Sequence, residues 1–194
     1  MSRVAREIVE AIVLALVVFL VIQTGVRNFK VEGSSMLPTL EGGQYLLVNK
    51  LVYFRLDTVR LSRVVPFWKV EESNEWFALR PPQRGEVIVF HYPRDPTKDF
   101  VKRVIGLPGE RIKVESGEVF IDGVQLEEPY LASRDTSRAR ELALRETEYY
   151  VMGDNRRGSN DSRNWGPVDV ELVLGKVWFV YWPFSEVQII GGSP

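Results

Sequence analysis

The sequence predicts a mostly β chain, in which one antiparallel β domain follows a single N-terminal transmembrane helix. Residues 11–26 carry no charge, and with the flanking Ile8 and Val9 they are long enough for about one bilayer crossing. From residue 27 onward, short stretches rich in Val, Ile, Tyr, Phe and Trp are bounded by Gly, Pro, Asp and Asn. This pattern is typical of strands joined by turns. A chain of 194 residues has room for one compact domain and an anchor.

The apolar run fits an anchor better than two other interpretations. An amphipathic core helix would place a polar side chain at every third or fourth position, and this run has none. A cleaved signal peptide would need small residues in an A-x-A-like arrangement after the run, whereas the sequence there reads QTGVRNF. Arg3 and Arg6 precede the run, and Arg27 and Lys30 follow it. Counting these charges therefore gives no orientation.

Composition excludes several classes of function. The net charge of -1 and the pI of about 6.0 provide no positive field for a nucleic-acid backbone. The absence of Cys excludes a thiol nucleophile, a Cys-based zinc site and disulfides. His91 is the one histidine of the sequence, which excludes a His-rich metal centre. We expect no metal, no cofactor and no nucleic-acid partner.

The domain is predicted to contain eight strands. In RIKVESGEVFIDG, the dipeptides Ser116-Gly117 and Asp122-Gly123 suit tight turns that need positive φ. The stretch from Thr136 to Thr147 is predicted to be a soluble helix or an irregular excursion. The predicted strands are Phe29–Glu32, Tyr45–Lys50, Glu86–His91, Asp99–Val104, Arg111–Glu115, Glu118–Ile121, Tyr149–Met152 and Lys176–Trp182.

An aromatic cluster, Phe67-Trp68 after Pro66 together with Trp76-Phe77, has two interpretations of equal weight. It is either part of the core or a loop that dips into the membrane interface, where Trp is common.

Three polar clusters interrupt the β pattern, at residues 33–43, 99–110 and 153–168. The first, GSSMLPTLEGG, has the composition of a turn in which Pro38 fixes the backbone and a serine caps it. The third, GDNRRGSNDSRNWGPV, reads as a loop. Its density of hydrogen-bonding side chains is typical of a loop that positions other groups.

The second cluster contains two adjacent cations in a strand. Alternation places Phe100, Lys102 and Val104 on one face and Arg103 on the other, so both faces are apolar except for one cation each. A lysine stem that covers apolar surface with its ammonium in water is the simple interpretation. If the strand is buried on both faces, one of the two cations must be paired or neutral. Lys can lose its proton, whereas Arg in practice cannot.

Together these clusters resemble bacterial type I signal peptidases, which are membrane-bound serine endopeptidases with a Ser-Lys dyad. The resemblance implies an antiparallel, barrel-like catalytic β domain with an inserted small β excursion. Four boxes in this order carry it: Ser35-Met36 with Pro38-Thr39; Arg84-Gly85-Glu86-Val87; Lys102-Arg103 with Gly106-Leu107-Pro108-Gly109; and Gly153-Asp154-Asn155-Arg156 with Ser159, Asp161, Ser162 and Arg163.

By this resemblance, Ser35 is the nucleophile and Lys102 is its general base. A free lysine has a pKa of about 10.4, and burial can lower it to about 8. Phe100 and Val104, with contacts such as Met36, are expected to supply that burial. The backbone N–H of Ser35 is the first expected oxyanion donor. Some family members have a hydroxyl two residues before the nucleophile, where this sequence has Gly33.

The resemblance also assigns supporting and substrate-binding residues. Ser159 is expected to hydrogen-bond and orient the lysine amine. An ion-pair network is expected to hold the third cluster against the lysine strand, and its members are Arg103, Asp154, Asp161 and Arg163. The residues expected to bind substrate are Phe29, Val31, Gly33, Met36, Asp99 and Val101.

The implied substrates are exported preproteins with Ala-x-Ala-type cleavage sites, added as a strand beside the active site. Residues 1–26 would form a cytoplasmic stub and single-pass anchor in the bacterial cell membrane, in contact with lipid. Residues 27–194 would form an extracytoplasmic catalytic domain with a variable insertion at about 115–148. We expect a monomer.

Two other classes fit parts of the sequence. A non-catalytic, membrane-anchored β module or scaffold of the export machinery is compatible with the fold and anchor, but the joint presence of Ser35, Lys102 and Ser159 argues against it. A self-cleaving Ser-Lys repressor would need a DNA-binding domain or a cleavable linker, and the apolar run contradicts it.

Overall fold

A computed structural model describes residues 3–57, 75–77, 79–133 and 135–191. The described residues form helices α1 (Arg3–Gly25) and α2 (Ser162–Trp165) and a set of mostly short strands. In chain order the strands are β1 (Val26–Lys30), β2 (Tyr45–Asn49), β3 (Arg55–Asp57), β4 (Glu75–Phe77), β5 (Val87–Tyr92), β6 (Asp95–Gly106), β7 (Arg111–Glu115), β8 (Glu118–Ile121), β9 (Val124–Gln125), β10 (Ala139–Ala143), β11 (Glu148–Met152), β12 (Val168–Asp169), β13 (Val173–Trp182) and β14 (Gln188–Ile189).

The strands form antiparallel sheets, which confirms the predicted mostly β class. The main sheet has the order β1-β2-β13-β5-β6-β11-β12, with β14 paired to β13. A smaller sheet, β10-β7-β8-β9, is the predicted excursion, and β3 pairs with β4. The main sheet runs as an open path, so the hydrogen bonds of the described strands do not close it into a barrel.

All eight predicted strands are present; Arg111–Glu115 and Glu118–Ile121 have the predicted bounds, and the other six differ at one or both ends. The first begins at Val26 rather than Phe29 and ends at Lys30. Val31 still donates its N–H to the Gln44 carbonyl, but the chain then turns at Gly33, whose φ is +84°. The predicted hairpin turns are confirmed, since Ser116-Gly117 joins β7 to β8 and both residues have positive φ. Asp122-Gly123 does the same between β8 and β9.

The prediction of a helix or irregular excursion at Thr136–Thr147 is wrong for its centre. Residues 139–143 form β10, which pairs antiparallel with β7. Leu144 is buried, and Ala139 and Leu142 pack against the core of the smaller sheet. Burial of these apolar side chains on the open edge of β7 outweighs the helix propensity of a run rich in Ala, Leu, Arg and Glu.

Strand β5 lies at the centre of the protein and is buried on both faces. Val87 and Val89 belong to one core cluster, whereas Ile88 and Phe90 belong to another. Such a continuous apolar run is what a strand covered on both sides requires. Its register with β6 pairs Ile88 with Lys102. The lysine strand is thereby placed in the interior of the domain.

The acidic residue of the second box, Glu86, ties the start of β5 to its neighbours. Its buried carboxylate accepts hydrogen bonds from Arg80, from Tyr53 and from Lys176 of β13. Burial alone would raise the pKa of Glu86, but these hydrogen bonds outweigh it and lower the pKa to about 2. The carboxylate therefore stays ionised at neutral pH and holds the strands together.

Helix α1 covers the apolar run and leads directly into β1. Its large apolar side chains from Val4 to Phe19 are exposed. Among the described residues, no helix has both the length and the apolar character needed to cross a membrane. The anchor therefore stays a prediction. Of the aromatic cluster, Phe77 packs partly buried against the second core cluster, whereas Phe67 and Trp68 lie outside the described residues.

Candidate active site

The two predicted catalytic side chains are in contact. Lys102 lies on β6, and Ser35 lies in the loop that joins β1 to β2. Lys102 Nζ donates a 2.7 Å hydrogen bond to Ser35 Oγ and a second, of 2.9 Å, to the Val101 carbonyl. A proton can move directly between a serine oxygen and an amine nitrogen at this separation.

The surroundings of Lys102 favour its neutral form. The residue is 4% exposed, and its Nζ lies 5.3 Å from the centre of the Phe100 ring. Burial lowers the pKa of Lys102 to about 8, although the charges of Asp161 and Asp154 act in the opposite direction. Close to neutral pH, a useful fraction of this amine is therefore unprotonated.

The neighbouring cation, Arg103, is paired instead. Its Nε and Nη2 donate bidentate hydrogen bonds of 2.8 and 2.6 Å to the two carboxylate oxygens of Asp154. Thr39 donates to the same carboxylate, and Arg103 Nη1 donates to the Gly85 carbonyl. The pair is almost fully buried, at 2% and 1% side-chain exposure. Of the two adjacent buried cations, Arg103 is therefore stabilised by an ion pair, whereas the pKa of Lys102 is lowered.

The other predicted ion pair lies within the third cluster. Arg163 donates to both carboxylate oxygens of Asp161, and Asp161 also accepts from the backbone N–H of Gly153. Arg163 Nη1 donates to Asp135, in the connection between β9 and β10. Of these two predicted pairs, Arg103–Asp154 bonds the third cluster to the lysine strand. Arg163, from the other pair, bonds the cluster to the insertion through Asp135.

The third cluster also contacts the backbone of Ser35. Asn155 donates its N–H to the Ser35 carbonyl at 3.0 Å and its side-chain amide to the Ser34 carbonyl, also at 3.0 Å. A Cβ on Gly153 would lie 2.4 Å from the Ser35 carbonyl oxygen and 2.3 Å from Ser159 Oγ. Glycine is required there because the loop packs directly against the backbone of Ser35.

The expected hydrogen bond between Ser159 and Lys102 is absent, so this prediction was wrong. Ser159 Oγ is buried and has no hydrogen-bond partner among the described residues. The Lys102 amine is instead directed to Ser35 Oγ and the Val101 carbonyl. Ser159 Oγ lies beside Gly153, on the same side of this glycine as the Ser35 carbonyl oxygen.

A groove of about 700 Å³ runs past the Ser-Lys contact. Five of the residues predicted to bind substrate line it, namely Phe29, Val31, Gly33, Asp99 and Val101. Met36 does not line it. That side chain is 1% exposed and packs in the core cluster with Leu40, because the turn after Ser35 directs it inward. Its role as a substrate-binding residue stays a prediction.

Sequence reasoning missed three residues that support the site. Asn155 belongs to the fourth box, but the sequence assigned it no role of its own. Glu128 forms a buried ion pair with Arg156, and the Tyr130 ring lies 4.0 Å from the Arg103 guanidinium. Glu128 and Tyr130 belong to the predicted variable insertion. The sequence gives no local signal for either role, because both depend on contacts with distant segments.

Comparison with known proteins shows the family of this chain. Residues 5–182 match the family described as signal peptidase, peptidase S26. The chain belongs to this family. The predicted resemblance is thereby confirmed, and the protein is a hydrolase of the serine endopeptidase class.

Individual relatives match most of the signal peptidase chain. Signal peptidase I of Bacillus caldolyticus is 36% identical over 82% of this chain and 81% of its own length. Probable signal peptidase I-2 of Synechocystis is 32% identical over 95% of this chain and 75% of its own length. A crystal structure of a signal peptidase I from Enterococcus faecalis, 33% identical, aligns over 52% of this chain and 99% of that chain with a TM-score of 0.45.

Replacing Gly153 by Ala should remove most of the activity while leaving the fold intact. The added methyl would displace the Ser35 backbone, and a displacement of about 1 Å can lower a rate about 100-fold. The measurement is the cleavage rate of a signal-peptide substrate together with the thermal unfolding midpoint. Gly191→Ala is the control, since a Cβ there meets nothing within 4 Å. Normal cleavage by Gly153→Ala would contradict the tight packing of this loop.

Proposed function

We propose that this signal peptidase cleaves its substrates with Ser35 as nucleophile and Lys102 as general base. The single observation that supports this most directly is the 2.7 Å contact between Lys102 Nζ and Ser35 Oγ. The burial of Lys102 and its lowered pKa agree with the same role. A serine hydroxyl becomes an effective nucleophile only when a base takes its proton.

The proposed reaction has two halves. In the first, neutral Lys102 takes the Ser35 proton as Oγ attacks the scissile carbonyl carbon, and the carbonyl oxygen becomes an oxyanion that the Ser35 N–H stabilises. The C–N bond then breaks, and the Lys102 ammonium returns its proton to the leaving amine. In the second half, Lys102 takes a proton from water, whose oxygen attacks the acyl carbon. The ester bond breaks, and Ser35 recovers a proton from Lys102.

The positioning residues are proposed to act through the third cluster. The Arg103–Asp154 pair holds the start of this cluster against β6, and the Asp161–Arg163 pair fixes its second half. A buried pair of this kind costs about 3–5 kcal/mol when one partner is removed. The cluster is therefore a rigid support for Ser35.

The proposed substrates are exported preproteins with small residues at the first and third positions before the scissile bond, as in Ala-x-Ala. The groove is lined by residues 29–35 on one side and residues 98–102 on the other. An extended segment between these two could form main-chain hydrogen bonds that need no particular side chains. The small side chains would then be selected by the shallow space beside Val31 and Val101.

We further propose that residues 1–26 anchor the enzyme in the bacterial cell membrane as a monomer, with residues 27–194 on the extracytoplasmic side and a variable insertion at about 115–148. Helix α1 has 23 residues and is about 35 Å long, comparable with the hydrocarbon core of a bilayer. Its exposed apolar side chains lie on all sides, from Ile8 to Phe19. In water such a helix would be unfavourable, whereas lipid would cover it.

Replacing either proposed catalytic residue should abolish cleavage. Ser35→Ala removes the nucleophile and Lys102→Ala removes the base, so each rate should fall at least about 1000-fold. The measurement is cleavage of a preprotein with an Ala-x-Ala site by the full chain in liposomes. Thermal unfolding shows whether each variant is folded, and Lys113→Ala, on the exposed face of β7, is the matched lysine control. If Lys102→Ala retains a near-normal rate, another group is the base. If the unsubstituted enzyme never cuts, the non-catalytic module is the better interpretation.

The cleavage rate should rise with pH through about 8. Lys102 must be neutral to accept the Ser35 proton, and its pKa is lowered to about 8, so kcat/KM should increase about tenfold per pH unit below that value and level off above it. The measurement is the pH profile of kcat/KM between pH 5 and pH 10, with circular dichroism to show that the fold persists. A profile that is flat from pH 6 to pH 9 would be incompatible with Lys102 as the base.

A charge in the middle of helix α1 should release the enzyme from membranes. Replacing Leu14 by Lys adds about 3 kcal/mol to the cost of membrane insertion. The measurement is flotation of Leu14→Lys and of the double variant Leu14→Lys/Val17→Lys with liposomes. Leu14→Ala is the control, since it keeps the helix apolar. Equal flotation of the double variant and the control would argue against the anchor.

A further inference from the structure

Asn155 makes more contacts with the nucleophile loop than any role predicted from the sequence accounts for. Its backbone N–H donates to the Ser35 carbonyl, and its side-chain Nδ2 donates to the Ser34 carbonyl at 3.0 Å. Its side-chain Oδ1 accepts from the Gly158 N–H at 3.2 Å. Asn155 therefore donates hydrogen bonds to the carbonyls of both Ser34 and Ser35. Its own side chain is fixed by the hydrogen bond from the Gly158 N–H.

The Ser34 carbonyl belongs to the same peptide unit as the Ser35 N–H. This peptide bond is trans, because the cis bonds of the described residues precede Pro38 and Pro183. In a planar trans peptide the C=O and N–H point in opposite directions. A hydrogen bond that fixes the Ser34 carbonyl on the Asn155 side therefore directs the Ser35 N–H to the side away from Asn155.

The same hydrogen bond strengthens the N–H as a donor. A donor on the carbonyl oxygen draws electron density from the peptide nitrogen, and linked hydrogen bonds polarise one another in this way. The Ser34 carbonyl also accepts from the Leu37 N–H, but at 3.3 Å. Of the two hydrogen bonds to the Ser34 carbonyl, the one from the Asn155 side chain is the shorter.

The need for such a device follows from Gly33. This position carries no side-chain hydroxyl, so residue 33 cannot supply a side-chain donor to the oxyanion. The Ser35 N–H must then contribute more of the stabilisation, and its direction must be fixed before the reaction, since preorganised donors stabilise a developing charge best.

We propose that Asn155 is a positioning residue of the oxyanion hole, which aims and polarises the Ser35 N–H through the Ser34 carbonyl. This inference rests on the proposed function, in which Ser35 is the nucleophile. Asn155 is already fixed to the lysine strand, because the preceding residue, Asp154, is paired with Arg103. The third cluster thus fixes the Ser35 N–H relative to the strand that carries Lys102.

The test uses the full chain in liposomes and two variants that separate the donor from the acceptor of the Asn155 side chain. Asn155→Asp keeps an oxygen for the Gly158 N–H but removes the donor to Ser34, and Asn155→Ala removes both. Asn164→Asp is the matched charge control, because its amide lies in the same loop and bonds to Asn160. Cleavage kinetics are measured with an Ala-x-Ala preprotein, and thermal unfolding midpoints show that each variant is folded.

Two ligands separate an effect on the oxyanion from an effect on the groove. A peptide aldehyde with the Ala-x-Ala sequence adds to Ser35 Oγ, and its carbonyl oxygen then occupies the oxyanion hole. The corresponding peptide with a C-terminal amide binds the groove without forming an oxyanion. The ratio of the two affinities therefore reports on the hole alone.

In both Asn155 variants we expect kcat to fall about 10- to 100-fold, with KM changed by less than about twofold. The aldehyde should bind more weakly by a similar factor, the peptide amide should bind as before, and Asn164→Asp should behave as the parent enzyme. The pH at which the rate of Asn155→Ala levels off should stay near 8.

Three results would overturn the inference. A normal kcat in Asn155→Asp with a low kcat in Asn155→Ala would show that the acceptor matters and the donor does not. Equal weakening of aldehyde and amide, or loss of folding in both variants, would make the role purely structural. Cleavage by the Ser35→Ala variant would instead disprove the proposed role of Ser35 as nucleophile. This control therefore separates failure of the proposed function from failure of the inference about Asn155.

Discussion

The arrangement of the site depends on the burial of two adjacent cations on β6. Lys102 and Arg103 are 4% and 2% exposed, and water can stabilise neither. Arg103 keeps its charge and takes Asp154 as a bidentate partner, whereas Lys102 contacts a hydroxyl and a carbonyl that carry no charge. Because strand alternation sends the two side chains to opposite faces, one residue becomes a structural ion pair and its neighbour becomes a base.

The ion pair on one face supports the chemistry on the other. Asp154 is fixed by Arg103, so the residues that follow it, beginning with Asn155, are held against the backbone of Ser35. The insertion adds a second layer, in which Glu128 pairs with Arg156 and the Tyr130 ring covers Arg103. The connection between β9 and β10 thus contributes to the rigidity of the site, although it contributes no residue to the Ser-Lys contact.

The features that could be predicted from the sequence are those determined by local pattern and by the chemistry of single side chains. The strands followed from alternation and turn residues, and the different fates of Lys102 and Arg103 followed from the cost of burying charge. Prediction failed where the answer depends on contacts between distant segments. The run at 139–143 became a strand because β7 offers it an open edge. Ser159 lacks its expected partner, since loop geometry decides the direction of its side chain.

The same burial that makes Lys102 a base weakens the folded state. A pKa lowered from 10.5 to about 8 corresponds to a cost of about 3 kcal/mol when the solvent holds the lysine protonated in the unfolded chain. The folded pKa lies below the unfolded one, so this cost is complete below about pH 8 and disappears as the pH rises toward 10.5. The contribution of Lys102 to folding is therefore least favourable in the pH range where the base is also least available. The buried ion pairs around Asp154 and Asp161 hold the geometry of the site against that cost, because breaking any one of them would leave an unpaired charge in the interior.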